Sequence, residues 1–237
     1  MKVIEEPQLA VKRKLPWFID AFLYPISASG VIHIAVFAFL PLLVSFIVRL
    51  VPDPHFAWLA YPVYIVFVGY LFYYFSSCVL DSAKGGFRAA DINVQTATFD
   101  IQDCVSEIFL MLACMAICSL SAAVYYLIVR RTDLLFWILA ACGIFFLPMT
   151  LLRGIMFDSF DALNPISVIN SILKTFLSYC GLVVFFCGIG GFVVFILPRL
   201  VIWRLVSSAI RIYLLFVTAH LVGRFYWWHK DKLGWGL

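Results

Sequence analysis

The chain has 237 residues, 65% of them hydrophobic and only 13% charged, with a mean hydropathy of +1.04. Soluble domains carry about 45–50% apolar and ~25% charged residues, so a water-soluble fold is excluded and the excess apolar surface is assigned to lipid. The net charge of +4 comes from basic residues beside apolar segments, where they orient a membrane chain and meet anionic lipid, and is no nucleic-acid footprint.

The N-terminus, MKVIEEPQLAVKRKLPWF, lacks the apolar core and small-residue cleavage site of a signal peptide, so the first span is expected to be retained. Residues 15–27, LPWFIDAFLYPIS, read as an interfacial amphipathic helix with Trp17 and Tyr24 in the headgroup layer. A spanning helix needs roughly 20 apolar residues. Six stretches qualify: 31–51, 61–80, 105–129, 134–152, 176–197 and 202–222. Proline bounds several of them, at Pro52, Pro54, Pro62 and Pro198, while Pro41 and Pro148 lie inside spans and are expected to kink them. The fold class is therefore an all-α polytopic membrane bundle, one domain over 1–237, with two interfacial helices added.

Between the second and third spans lies the longest polar stretch, 81–104, which holds Lys84, Gly85, Gly86 and Arg88. Two readings stand side by side. The stretch is a connector that caps the third span, with Asp103 as N-cap. Alternatively, amides near the glycines form an anion-binding nest that Lys84 and Arg88 turn into a contact for a lipid headgroup or a partner. No Gly-Lys-Ser/Thr follows at P-loop spacing.

Residues 161–174, DALNPISVINSILK, read as the second interfacial helix, with Asn164 as N-cap and Pro165 in its first turn. Leu163, Ile166, Ile169 and Ile172 form its apolar stripe, against Ser167, Asn170, Ser171 and Lys174. Pro-Ile-Ser occurs at both 25–27 and 165–167, either as a trace of an internal repeat or as a shared interfacial elbow. In the fifth span Gly188, Gly190 and Gly191 are expected to let another helix approach closely. The tail, GRFYWWHKDKLGWGL, reads as an interfacial anchor through Trp227, Trp228 and Trp235 beside basic residues.

Lysine and arginine set the orientation. With the N-terminus inside, Lys2, Lys12, Arg13, Lys14, Lys84, Arg88, Arg153, Lys174, Arg224, Lys230 and Lys232 are inside, and Arg49, Arg130, Arg131, Arg199 and Arg204 outside. That balance favours cytoplasmic termini in a bacterial cytoplasmic membrane.

Few residues inside spans could carry chemistry. Arg211 falls near the centre of the sixth span, where a guanidinium costs several kcal/mol unless paired or hydrated. Glu107 is its candidate partner. A transport pathway would use such an arginine, and so would a structural lock between helices or subunits; interfacial placement of 198–211 would remove the anomaly. His33 and His220, at similar predicted depth, are the only candidate haem ligands. Seven cysteines, an odd number, argue against a disulfide framework, and Cys114 and Cys118 have no further metal ligand at suitable spacing. No Gly-x-Ser-x-Gly, His-Glu-x-x-His or paired-Asp motif is present. No catalytic residue, metal or cofactor is assigned.

An elbow containing proline, two spans, a loop with Gly-Gly and Ala-Ala-Asp, the segment ALNPISVINSILKTFLSY and the end LVGRFYWWHKDKLGW together resemble six-helix bacterial membrane proteins of the domain-of-unknown-function type, found in planctomycete-like genomes. Ala90-Asp91 stands where those proteins often carry Pro-Asp. The resemblance implies an architecture and no activity. The expected function is a non-enzymatic structural or accessory subunit of a larger membrane complex, in contact with lipid and other subunits and not with nucleic acid. The alternatives are a transporter, channel or lipid-handling protein, and an electron-transfer subunit.

Overall fold

The computed structural model describes residues 17–50, 54–86, 89, 101–200 and 203–235, and all regular structure among them is helical. Eight α-helices follow one another: α1 (Trp17–Leu23), α2 (Ala28–Leu50), α3 (Pro54–Ala83), α4 (Ile101–Val129), α5 (Leu134–Phe157), α6 (Pro165–Lys174), α7 (Phe176–Gly191) and α8 (Arg204–Leu233). Six helical stretches, built on α2, α3, α4, α5, α7 and α8, are long and apolar enough to cross a membrane. In lipid every backbone polar group must be satisfied within the chain, which helices alone achieve locally.

The helix ends differ from the expected ones where a proline or glycine acts differently from its sequence position. Pro54 opens α3 and Pro62 lies inside it, because proline suits the first helical turn and neighbouring membrane helices tolerate it further in. α7 loosens into a π-turn at Phe192–Ile196 and a 3₁₀ turn at Leu197–Arg199. Pro198 cannot donate to the preceding turn, and the ladder widens before it. The sixth span does not end at 222. Its helix runs to Leu233 and stops at Gly234, whose φ of +62° is left-handed. Most of the expected tail is therefore the last turns of α8. Likewise α4 begins at Ile101, so Asp103 lies within it and is not its N-cap.

α3 and α8 run parallel at the centre of the bundle. Tyr74 meets Phe216, ring centroids 4.9 Å apart, and further along both helices Ser82 meets His220. At Gly223 a side chain would meet the Val79 carbonyl at 2.3 Å, so only glycine permits this approach. α4 and α5 form an antiparallel hairpin, where a side chain added at Gly143 would likewise run into the Cys118 carbonyl. Lipid tails are as apolar as leucine, so such close packing and interhelical hydrogen bonds, more than area burial, hold the helices together.

Two ends can be distinguished. The tail end gathers α1, the end of α3, α6 and the last turns of α8, and the hairpin end carries the α4–α5 and α7–α8 turns. At the tail end the amphipathic helices are turned the opposite way from a soluble one. α1 exposes Ile19, Phe22 and Leu23 and buries Asp20. In α6 the Asn164 side chain accepts from the Ile166 amide at 3.0 Å and Pro165 opens the helix, as its sequence implies. Its expected apolar stripe divides: Leu163 and Ile172 are buried, but Ile166 is 77% exposed while Ser171 is buried. A polar side chain with partners inside is turned inward, and Ile166 and Ile169 are turned outward.

The two Pro-Ile-Ser segments have different roles. The first is a 3₁₀ turn, and Ser27 after it accepts from the Gly30 amide at the start of α2. The second lies within the first turn of α6.

Candidate functional site

The buried polar groups of the tail end form one seam. Tyr24 follows α1 on a 3₁₀ turn and is fully buried. Its hydroxyl donates to the Cys78 carbonyl at 3.2 Å and to Asp81 Oδ2 at 3.4 Å, both on α3. Its ring stacks on His220 of α8, centroids 4.2 Å apart and 25° from parallel. His220 Nδ1 in turn shares a 2.8 Å hydrogen bond with Ser82 Oγ. Burial, reinforced by Cys78 and Asp81, pushes the Tyr24 phenol well above its ordinary range, so it stays a neutral donor. One turn outward, Asp20 of α1 lies within electrostatic reach of Arg224 of α8, which also covers the Trp228 ring at 5.3 Å. Tyr24 is therefore no interfacial anchor. Its hydroxyl finds acceptors in the bundle, and a full ring stack outweighs a place in the headgroup layer.

His33 stands apart from this seam. Its Nδ1 faces the Ser29 carbonyl at 2.8 Å, its Nε2 the Tyr70 hydroxyl at 2.9 Å, and its ring stacks on Tyr74 at 3.8 Å. Both ring nitrogens are engaged, and each histidine stacks on a different tyrosine. The arrangement gives no support to axial ligation of a haem by His33 and His220, because ligation would have to break these bonds first.

The Lys84–Gly86 turn is likewise engaged within the chain. The Lys84 amide donates to the Leu80 and Asp81 carbonyls, the Gly85 amide to Ser82, and the Gly86 amide to Asp81 at 2.9 Å. These amides close the C-terminus of α3, so no anion nest is open there. Gly85, at φ +92°, lies against the Trp227 ring, and Gly86 lies against the Asp81 carboxylate. That carboxylate would itself repel an anion. Arg88 lies outside the described residues, as does the side chain of Trp17.

The other tail tryptophans divide. Trp227 is half-buried between Gly85 and Lys230, whose ammonium is 4.5 Å from its ring centre. Trp228 is 48% exposed. Trp235 folds back. Its indole N–H donates to Ser171 Oγ at 3.2 Å, its ring stacks on Tyr226, and the Arg153 guanidinium covers it at 5.1 Å. Lys174 adds a 3.2 Å bond to the Leu233 carbonyl. Trp235 therefore clamps α6 to α5 and α8 rather than anchoring in lipid. Sequence reading gave Asp20 and Ser82 no role, counted Arg153 only for orientation and Ser171 only for the polar face of residues 161–174, and the signal available for them was a polar residue within or beside an apolar span.

Arg211 belongs to neither group. It is exposed and borders an apolar cleft of 240 Å³ where α3, α4, α5, α7 and α8 converge. Arg211 is the eighth residue of α8, and Phe72, midway along Tyr61–Ala83, lines the same cleft. Glu107 does not pair with it; this carboxylate is buried and accepts from Ser76 at 2.8 Å.

These features define the class: a membrane-embedded, all-helical protein with six candidate spans, a hydrogen-bonded polar seam at one end and an apolar cleft bordered by Arg211. Comparison with protein-family models, curated proteins and solved structures finds no match.

Proposed function

We propose that the chain is a non-enzymatic structural or accessory subunit of a larger membrane complex, and that it docks on its neighbour through α7. The observation that supports this reading is the outer face of α7. Only 6% of its spanning window is buried within the chain, against 44% for α8. Leu177, Gly181, Val184, Gly188, Gly191 and Phe195 recur on that side at alternating spacings of four and three, the seam spacing of paired helices. Leu177 is 87% and Val184 71% exposed, and a side chain added at Gly181, Gly188 or Gly191 would meet nothing within 4 Å. The glycines do not serve packing inside this chain, and such a smooth face admits another helix at close range. The tail-end seam fits the same role, since its hydrogen bonds hold helices in place rather than leaving groups for chemistry. The lysine and arginine balance supports a cytoplasmic tail end in a bacterial inner membrane.

The test is extraction in mild detergent followed by mass spectrometry of co-purifying proteins. Wild-type chain is expected to bring down a defined partner, and Gly188→Leu to lose it while keeping helicity and monomer size. A wild-type chain that is monomeric and alone under those conditions overturns the reading.

A further inference from the structure

Among the described residues the Arg211 guanidinium has neither a carboxylate nor a hydrogen-bond partner, unlike the buried seam residues of the tail end. A guanidinium is a permanent charge, and beside apolar walls its cost is met by water or by an anion. Its surroundings are the walls of the cleft, with Phe72, Met115, Leu147, Gly190 and Leu214 supplying one residue from each of five helices. Met115 and Leu147 lie within two residues of the midpoints of Val105–Val129 and Leu134–Phe157, so the cleft reaches the middle of those helices. An occupant that suits this cleft brings one anionic group for Arg211 and an apolar body for the walls.

We propose that this cleft is a binding site for a single-chain carboxylate amphiphile, a medium-chain fatty acid or its close chemical equivalent. The carboxylate matches the two parallel donors of a guanidinium, a geometry a lone lysine would not offer. A volume of 240 Å³ is slender beside the ~300–1,000 Å³ of drug-sized pockets, which favours one acyl chain over a two-chain phospholipid. Gly190 keeps the cleft open, because a side chain there would meet nothing within 4 Å and would extend into the space. This site is independent of the α7 face, whose outward residues lie on the other side of that helix.

The experiment uses the full chain in a neutral detergent, with thermal unfolding followed by tryptophan fluorescence. Decanoate, decanol and decyltrimethylammonium are each titrated. Decanoate is expected to raise the midpoint saturably, and decanol and the cation to leave it in place. Arg211→Gln is expected to weaken the decanoate response by at least about tenfold, the worth of a charge-assisted hydrogen bond. Gly190→Leu, which keeps the charge but fills the cleft, is expected to abolish it, and Arg211→Lys to retain a weaker, still anion-selective response. Equal responses to decanoate and decanol in wild type, or an unchanged decanoate response in Gly190→Leu, overturn the proposal.

Discussion

The tail end and the cleft treat polar groups in opposite ways. In the tail end, Tyr24, Asp81, Ser82 and His220 come from three segments and bond to one another, so their polarity is spent on geometry. In the cleft a permanent charge borders apolar walls with no partner among the described residues. A membrane interior makes ionisable groups costly wherever they occur, and the seam has offset that cost internally. The comparison teaches that number of polar residues is a poor guide to function in this bundle. The crowded region bonds within itself, and binding is expected at Arg211.

The seam rests on the parallel α3–α8 contact, and breaking that contact should have the largest effect. In Gly223→Val the new side chain would run into the Val79 carbonyl and the Ser82 side chain, neither of which can yield without moving a helix. Overpacking of this kind costs ~1–3 kcal/mol and sometimes more. The expected outcome is a clear fall in the unfolding midpoint in detergent, or failure to accumulate. Gly188→Val serves as the contrast: its site is open, and its midpoint should stay near that of wild type.

A smaller change sharpens the same comparison. Tyr24→Phe keeps the stack on His220 and removes only the hydroxyl that reaches Cys78 and Asp81. Interhelical hydrogen bonds in membrane proteins average ~0.6 kcal/mol and reach about 1.7. A loss in that range is expected, measured by equilibrium unfolding in mixed micelles, together with faster proteolysis of α1. The decanoate response of the Arg211 cleft should not change, because the seam and the cleft are separate. A joint loss would show that they act as one unit.

The spans themselves were legible because about 20 apolar residues have one physical use in a bilayer. Asn164 and Pro165 were legible for a similar reason, since capping is settled within a few residues of chain. What could not be read is which side of each helix faces the protein. Asp20 points inward because Arg224, 204 positions later in the chain, lies beside it. Ser171 is buried because Arg153 and Trp235 both donate to it. Periodicity identifies a stripe, yet with lipid outside, the apolar stripe of a short helix has two acceptable directions. Trp235 and Tyr24 misled for the same reason: an aromatic residue near a span suits either the headgroup layer or an internal partner. Arg211 was recognisable from sequence as an anomaly, whereas its cleft needed five helices in place.

The hairpin end supplies the smallest predicted effect, and one that depends on pH. Asp133 precedes α5 as its N-cap, accepting from the Phe136 amide at 3.1 Å and from the Tyr125 hydroxyl at 2.5 Å. The tyrosine bond first, and the amide second, hold the carboxyl below its ordinary value of 3.8. A folded-state value below the unfolded one means the unfolded chain binds the proton more readily, so this contribution is fully present above pH 3.8 and is lost as pH falls through the lower folded value. The difference in unfolding midpoint between wild type and Tyr125→Phe should therefore be constant from neutral pH down to the ordinary carboxylate range and shrink below it. Because both side chains face solvent, the difference should be slight at its largest and diminish further in salt. A difference that grows as the pH falls would place the stabilising charge elsewhere in the turn, with Arg131 the neighbouring group to test next.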